Sequence, residues 1–190
     1  MIMKKIAVFA SGNGSNFQAI VDEIARGSLD AEIAVLVSDK PECFAVKRAH
    51  NHNIPVFSFE HKNYTSKAEY EQEIAKILIK KEVSLIVLAG YMRLVGETLL
   101  TAFQNSIINI HPALLPAFPG KNGIEQAYNY GVKIFGVTVH YVDSGIDTGK
   151  IIAQESFQTT GTETLQEIEQ KIHAIEHKIY PKIIAQLLNA

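Results

Sequence analysis

Short apolar runs rich in β-branched residues alternate with longer amphipathic stretches through most of the chain. Lys5–Ala10, Glu32–Val37 and Val56–Phe59 read as strands, since such runs suit a pleated, half-buried or buried surface. Asn16–Arg26, Cys43–His50 and Lys67–Lys81 read as the intervening helices. "SLIVLAGY" (Ser84–Tyr91) is a continuous apolar run, the pattern of a strand covered on both faces. Gly96–Phe103 predicts a short helix and Ser106–His111 the next strand. This alternation predicts an α/β sandwich with a mainly parallel sheet. The last third differs. "KIFGVTVHYV" (Lys133–Val142) alternates more, "DSGIDTGK" follows as a cluster of turn-formers, and "IIAQESF" comes next. Two strands joined this way suggest a hairpin-like pair and a mixed sheet. A long closing helix is signalled by a capping box, Thr164 with Glu167, and by the stripe Leu165, Ile168, Ile172, Ile175 and Ile179.

Composition narrows the class without changing the fold. The 190 residues suffice for one domain, 1–190, with a substantial core. Eighteen basic against twenty acidic residues give a formal net charge of −2, and no basic stripe points to nucleic acid. No segment has the length and apolarity to span a membrane. The single cysteine, Cys43, fits a reducing cytoplasm. Two lysines before Ile6–Ala10 superficially resemble a signal peptide, but the apolar patch is too short and a glycine loop follows it at once.

In open parallel sheets, ligands bind beyond the carboxyl ends of the strands. The loops that attract attention each follow a strand: Ser11–Asn16, Tyr91–Val95, His111–Gly120 and Asp143–Gly149. In "SGNGSN" Gly12 and Gly14 allow close backbone approach, Asn13, Ser15 and Asn16 offer polar side chains, and the next helix offers unpaired N–H groups to an anion. Phe17 occupies the third glycine of the dinucleotide fingerprint, so a monophosphate site is the better reading. A plain tight turn with an N-cap is the alternative.

"NIHPALLPAFPG" holds three of the six prolines. Asn109 and His111, two apart on a strand, face the same side. Pro112 biases His111 toward an extended backbone, while Pro116 and Pro119 stiffen the loop beyond. An amide donor can stabilise an oxyanion and an imidazole can move protons near neutral pH. A carboxylate to orient the imidazole is available in the next loop, with Asp147 the candidate and Asp143 its rival. No G-x-S-x-G elbow is present, so direct transfer is favoured over an acyl-enzyme. The bland alternative is that Asn109 and His111 only satisfy local backbone groups. His173 and His177, at i and i+4, read as a solvated helix face and not a metal pair, and no metal is expected. Glu176 borders the apolar stripe and could reach toward a ligand. His50, His52 and His61 lie in polar stretches and are assigned nothing.

"SGNGSN", "LAGYMRLV", "NIHPALLPAFPG" and "HYVDSGIDTGKII", in this order and over essentially the whole chain, resemble the phosphoribosylglycinamide formyltransferases of purine synthesis. The resemblance implies a Rossmann-like three-layer sandwich with a mixed carboxyl-terminal part. It also implies formyl transfer from 10-formyltetrahydrofolate, a co-substrate, to the amine of glycinamide ribonucleotide, in the third step of de novo purine synthesis. By the same resemblance Asn109 holds the formyl oxygen, His111 serves as the acid of the tetrahedral step, and Asp147 supports His111 and orders a water. Gly12, Asn13, Gly14, Ser15 and Asn16 would take the phosphate, with Glu176 near the glycinamide. Met92, Arg93, Leu94 and Val95 would form the folate segment, with Val142, Asp143 and Asp147 closing over the pterin. Ala113 stands where the family usually has serine. Lys67 stands where an arginine often meets the glutamate tail, keeping the charge without the bidentate geometry.

Three other readings share parts of this pattern. Methionyl-tRNA formyltransferases carry an additional tRNA-binding domain and lack the SGNGSN turn. Formyltetrahydrofolate hydrolases carry an added amino-terminal domain, whereas the first strand here begins at residue 5. A nucleotide-binding module without catalysis is disfavoured by Phe17 and by the Asn109, His111 and Asp147 set. The expected partners are therefore two small molecules, acting on a cytoplasmic monomer or homodimer.

Overall fold

The run after Lys4 and Lys5 is buried on both faces, with Ile6, Ala7, Val8 and Phe9 wholly inaccessible to solvent. The computed structural model, which describes residues 3–189, places it inside a sheet. β1 (Lys4–Phe9) pairs in parallel with β2 (Ala31–Ser38) and with β4 (Leu85–Leu88). β3 (Val56–Ser58) extends the sheet beyond β2, and β5 (Ile107–His111) extends it beyond β4, both in parallel. Polarity then reverses. β6 (Ile134–Tyr141) is antiparallel to β5, and β7 (Ile151–Gln158) is antiparallel to β6. Among the described residues the sheet has seven strands in the order β3-β2-β1-β4-β5-β6-β7.

Side-chain alternation along β1 separates two apolar layers. Ile6, Val8 and Ala10 join a cluster with Phe17 of α1 (Ser15–Ala25), Ala45 of α2 (Phe44–Asn51), and Ile172 and Tyr180 of α6 (Leu165–Leu188). Ala7 and Phe9 face the other side, against Ile74 of α3 (Lys67–Lys80) and Leu99 of α4 (Glu97–Ala102). Helices therefore cover both faces of a mainly parallel sheet with a mixed end, which is the Rossmann-like α/β arrangement expected.

The closing helix begins where its capping box predicts. The Glu167 N–H donates to the Thr164 hydroxyl, and the Thr164 N–H donates to the Glu167 carboxylate at 2.7 Å. Ile168, Ile172 and Ile179 are buried, and Leu165 and Ile175 pack against the same core. Tyr180, also fully buried, sends its hydroxyl to the carbonyls of Leu88 (2.8 Å) and Ile108 (3.2 Å). One phenol thus ties the last helix to two neighbouring strands at the centre of the sheet.

Three expectations change. The fourth strand stops at Leu88, because Gly90 turns the chain with a φ of 79°. The helix α5 (Gly123–Tyr130) was not predicted. It has eight residues, its N-cap Asn122 is left-handed, and no side chain caps it, so the usual start signals are missing. The Asp143–Gly149 loop does not leave from the carboxyl end shared by the parallel strands. β6 runs the other way, and the Val142 N–H bonds the carbonyl of Ile107, the first residue of β5.

Tyr180→Phe removes only the hydroxyl and leaves two buried carbonyls short of a donor. The variant should fold with an unchanged m-value but lose about 1–3 kcal/mol in urea denaturation. An unchanged midpoint would show that the Tyr180 bonds contribute nothing net.

Candidate active site

Residues directly opposite in an antiparallel pair share a face. Asn109 is registered against His140 and His111 against Thr138, so β5 and β6 present four polar side chains together. The His140 Nδ1 lies 2.8 Å from the Tyr141 carbonyl, to which it donates, and its Nε2 faces both Asn109 and Asp147. Asn109 Nδ2 lies 3.2 Å from that Nε2 and 3.4 Å from Asp147 Oδ1. The amide of Asn109 is therefore held with its N–H groups directed into the cluster.

His111 is buried, with 3% of its surface exposed. Its Nε2 is 2.8 Å from the Phe118 carbonyl and its Nδ1 is 3.3 Å from Asp147 Oδ2. Both ring nitrogens face acceptors. Asp147 lies beside His111, whereas Asp143 accepts from Gly145 N–H (3.0 Å) and Thr148 Oγ1 (2.6 Å) and organises its own loop. The Gly120 N–H donates to Asp147 Oδ2 at 2.7 Å, and His140 Nε2 is 3.5 Å from Oδ1. Burial alone would raise the Asp147 carboxyl. The bond from His140, the Gly120 N–H and the two imidazoles outweigh it and hold the carboxyl below its usual range. Asp147 itself has a φ of 54°, in the left-handed region that aspartate tolerates better than most residues.

The proline-rich loop is held by more than its prolines. The buried Thr138 hydroxyl donates to the Ala113 carbonyl (2.7 Å) and accepts from the Leu115 N–H (3.0 Å) and from Gln154 Nε2 (3.0 Å). Gln154 also donates to the Leu115 carbonyl at 2.9 Å. Sequence reasoning missed both Thr138 and His140. Their signal was two polar residues in the apolar run "VTVHYV", two apart and so on one face.

At the other end, Gly14 sits at the start of α1 with a φ of 74°, and a Cβ there would lie 2.7 Å from Ala45 Cβ. Only glycine fits both the conformation and the approach to α2. Arg48 of α2 grips Asn13 through its carbonyl (3.0 Å) and its Oδ1 (2.9 Å), and Ala45 N–H bonds the Gly12 carbonyl at 3.0 Å. Ser15 opens α1. Phe17 is wholly buried beneath the turn. Asn16 Nδ2 donates to Glu176 Oε2 at 3.1 Å, and the Asn16 Oδ1 is buried without a partner among the described residues. Glu176 is itself buried and meets His173 Nδ1 at 2.9 Å, a bond that raises the His173 pKa. The expected solvated histidine face holds for His173, whose side chain is half exposed, while His177 is partly buried. His173 is engaged with Glu176, and burial lowers the pKa of His177, whose Nε2 has no partner among the described residues.

Between these ends runs the Met92–Val95 segment. The Met92 N–H donates to the Ser11 hydroxyl at 2.9 Å, and the Ser11 N–H donates to the Gly90 carbonyl at 3.0 Å, joining this segment to the glycine turn. A cleft lined by Arg93, Leu94, Val95, Val142, Asp143 and Gly145 opens onto Asn109, His140 and Asp147. Lys67 is not part of its lining and lies 4.0 Å from Glu71 on α3.

The chain is similar to known proteins over nearly its whole length. The family model for formyl transferases matches residues 4–184. A phosphoribosylglycinamide formyltransferase of Bacillus subtilis is 56% identical over 186 residues, covering 98% of this chain and 95% of that protein. The trifunctional purine biosynthetic protein adenosine-3 of Drosophila melanogaster is 37% identical over 189 residues. That match covers 98% of this chain, which spans 14% of the larger protein. The crystal structure of glycinamide ribonucleotide transformylase 1 from Geobacillus kaustophilus matches with a TM-score of 0.95 and 52% identity, covering 98% of this chain and 99% of the other.

The lowered pKa of Asp147 has a consequence for stability. Its ionised form is favoured in the folded state, so its contribution is present above the unfolded pKa and is lost as pH falls through the folded one. Wild-type stability should therefore fall more steeply than that of Asp147→Asn as pH drops below about 4. Parallel denaturation curves across that range would remove Asp147 from the acid sensitivity of the fold.

Proposed function

The chain belongs to the formyl transferase family, and we infer that it is a phosphoribosylglycinamide formyltransferase. It moves the formyl group of 10-formyltetrahydrofolate to the primary amine of N1-(5-phospho-D-ribosyl)glycinamide in purine biosynthesis. The observation that carries this reading is the 56% identity to a phosphoribosylglycinamide formyltransferase across nearly the full length of both chains. We take residues 1–190 as a single formyltransferase domain, in keeping with the match over residues 4–184.

The geometry supports a division of labour within the cleft. The glycine turn Gly12–Asn16 takes the phosphate with its backbone N–H groups and the amino end of α1, which favour an anion. Glu176, buried against Asn16, receives polar groups of the same substrate. The Met92–Val95 segment and the Val142–Asp147 loop hold the folate on opposite walls. Lys67 is the first residue of α3, with 42% of its side chain exposed, where a carboxylate tail could meet it.

The amine attacks the formyl carbon, and negative charge gathers on the formyl oxygen. Asn109 donates an N–H to that oxygen, where a fixed dipole stabilises charge without reorganising. Its amide is pre-aligned by His140 Nε2. His111 gives a proton to the folate nitrogen as the carbon–nitrogen bond breaks, exchanging its bond to the Phe118 carbonyl for that nitrogen. Asp147 keeps the imidazole oriented and orders the water that carries away the amine proton. We further propose that the enzyme acts in the cytoplasm as a monomer or homodimer on small molecules, without nucleic acid or membrane; no described helix is long and apolar enough to cross a membrane.

Purified protein should form the N-formyl product only when both substrates are present. Equal folate turnover without the amine would instead establish a hydrolase. His111→Ala and Asp147→Ala should each lower kcat by about a hundredfold or more while circular dichroism stays native. An active Asp147→Ala beside an inactive Asp143→Ala would overturn the carboxylate assignment.

A further inference from the structure

Glu71 is a buried acid that the chemistry above does not use. Only 2% of its surface is exposed, and burial pushes its carboxyl up against the pull of the Gly96 and Leu99 N–H groups, Lys67 and Arg93. The Gly96 N–H donates to its Oε1 at 2.7 Å, and Lys67 Nζ is 4.0 Å from the same oxygen. A Cβ on residue 96 would lie 2.7 Å from Glu71 Oε2 and from Lys67 Cε, so the glycine is what lets this backbone reach the carboxylate. The preceding residue, Tyr70, is equally buried. Its hydroxyl accepts from Arg93 Nε at 3.3 Å, and its ring lies 5.5 Å from the guanidinium carbon. Two adjacent residues of α3 therefore clasp positions 93 and 96. Between them Val95 is buried while Leu94, 57% exposed, faces the cleft.

We propose that Glu71, with Tyr70, is a positioning residue that sets the Arg93–Gly96 segment against the folate and so controls folate affinity and not ribonucleotide affinity. A backbone wall held at two points presents its groups at a fixed height, and loosening either point costs binding of the ligand that uses the wall. The proposal rests on the reading of Met92–Val95 as the folate segment. The competing role is confined to the fold: Glu71 would simply satisfy the N-cap of α4.

Steady-state kinetics on the full chain, with each substrate varied in turn, separate the two. Glu71→Ala should raise the folate KM about tenfold and Glu71→Gln, which keeps an acceptor, about threefold, with the ribonucleotide KM within about twofold. Tyr70→Phe should raise the folate KM in the same direction. If Glu71→Ala lowers thermal stability while the folate KM stays within about twofold, the carboxylate only caps α4 and the proposal is overturned. Should that variant not fold, wild-type folate KM values in both Glu71→Gln and Tyr70→Phe overturn it equally. Leu94→Asp distinguishes the premise. If it leaves the folate KM unmoved, the folate-segment reading fails and takes this inference with it. If it raises the folate KM while the Glu71 and Tyr70 variants do not, only this inference fails.

Discussion

The carboxylate of Asp147 joins three parts of the chain that share no continuous secondary structure. It accepts the Gly120 N–H from the loop after β5, faces His111 on β5 itself, and meets His140 on β6. Without that anion, two buried imidazoles and an amide would sit close together with their donors competing for acceptors, a costly arrangement at low dielectric. With it, burial, hydrogen bonding and charge settle on one geometry. Burial disfavours the ionised carboxyl, but the bonds to it win, as its lowered pKa records. The left-handed backbone at Asp147 is a smaller cost, of order 1 kcal/mol, accepted to aim the side chain back along β5.

That backward aim follows from the sheet. Because β6 is antiparallel to β5, the Asp143–Gly149 loop starts level with Ile107 and must return past Asn109 to reach His111. The register does the rest. Pairing Asn109 with His140 and His111 with Thr138 turns an ordinary strand pair into a face of four polar groups, each with a stated partner. A slip of one residue would send all of them to the opposite side. The apolar layers on both sides of the sheet hold that register, and Tyr180 ties α6 to Leu88 and Ile108, one residue short of Asn109.

The two ends of the site are attached to this centre differently. The glycine turn is braced by α2, through Arg48 and Ala45, and reaches α6 through Asn16 and Glu176. The Met92–Val95 segment hangs from Ser11 at one end and from α3 at the other. Ser11 therefore stands at the junction of the glycine turn and the Met92–Val95 segment, its N–H donating to the Gly90 carbonyl and its hydroxyl accepting the Met92 N–H. Each of these anchors fixes a backbone segment that borders the proposed site.

The sequence by itself determined most of the elements and most of the candidate residues. Continuous apolar runs such as Ser84–Tyr91 suited strands covered on both faces. The capping box at Thr164 and Glu167 marked the start of α6, and the two-residue spacing placed Asn109 and His111 on one side. These signals are local, so they survive without knowledge of the fold. What the sequence left open was every relation between distant segments. It favoured Asp147 and kept Asp143 as the rival, and only their different hydrogen-bond environments, four positions apart, separate the two. It passed over His140 and Thr138, whose meaning comes from the strand opposite, and it gave no hint of α5, which lacks capping signals. It read His173 and His177 as a solvated face, which the half-exposed His173 keeps, but it did not pair His173 with Glu176 or reveal the partial burial of His177. Tertiary structure decided these points because hydrogen-bond partners, burial and strand register are properties of pairs of segments, and a single stretch of chain contains only one member of each pair.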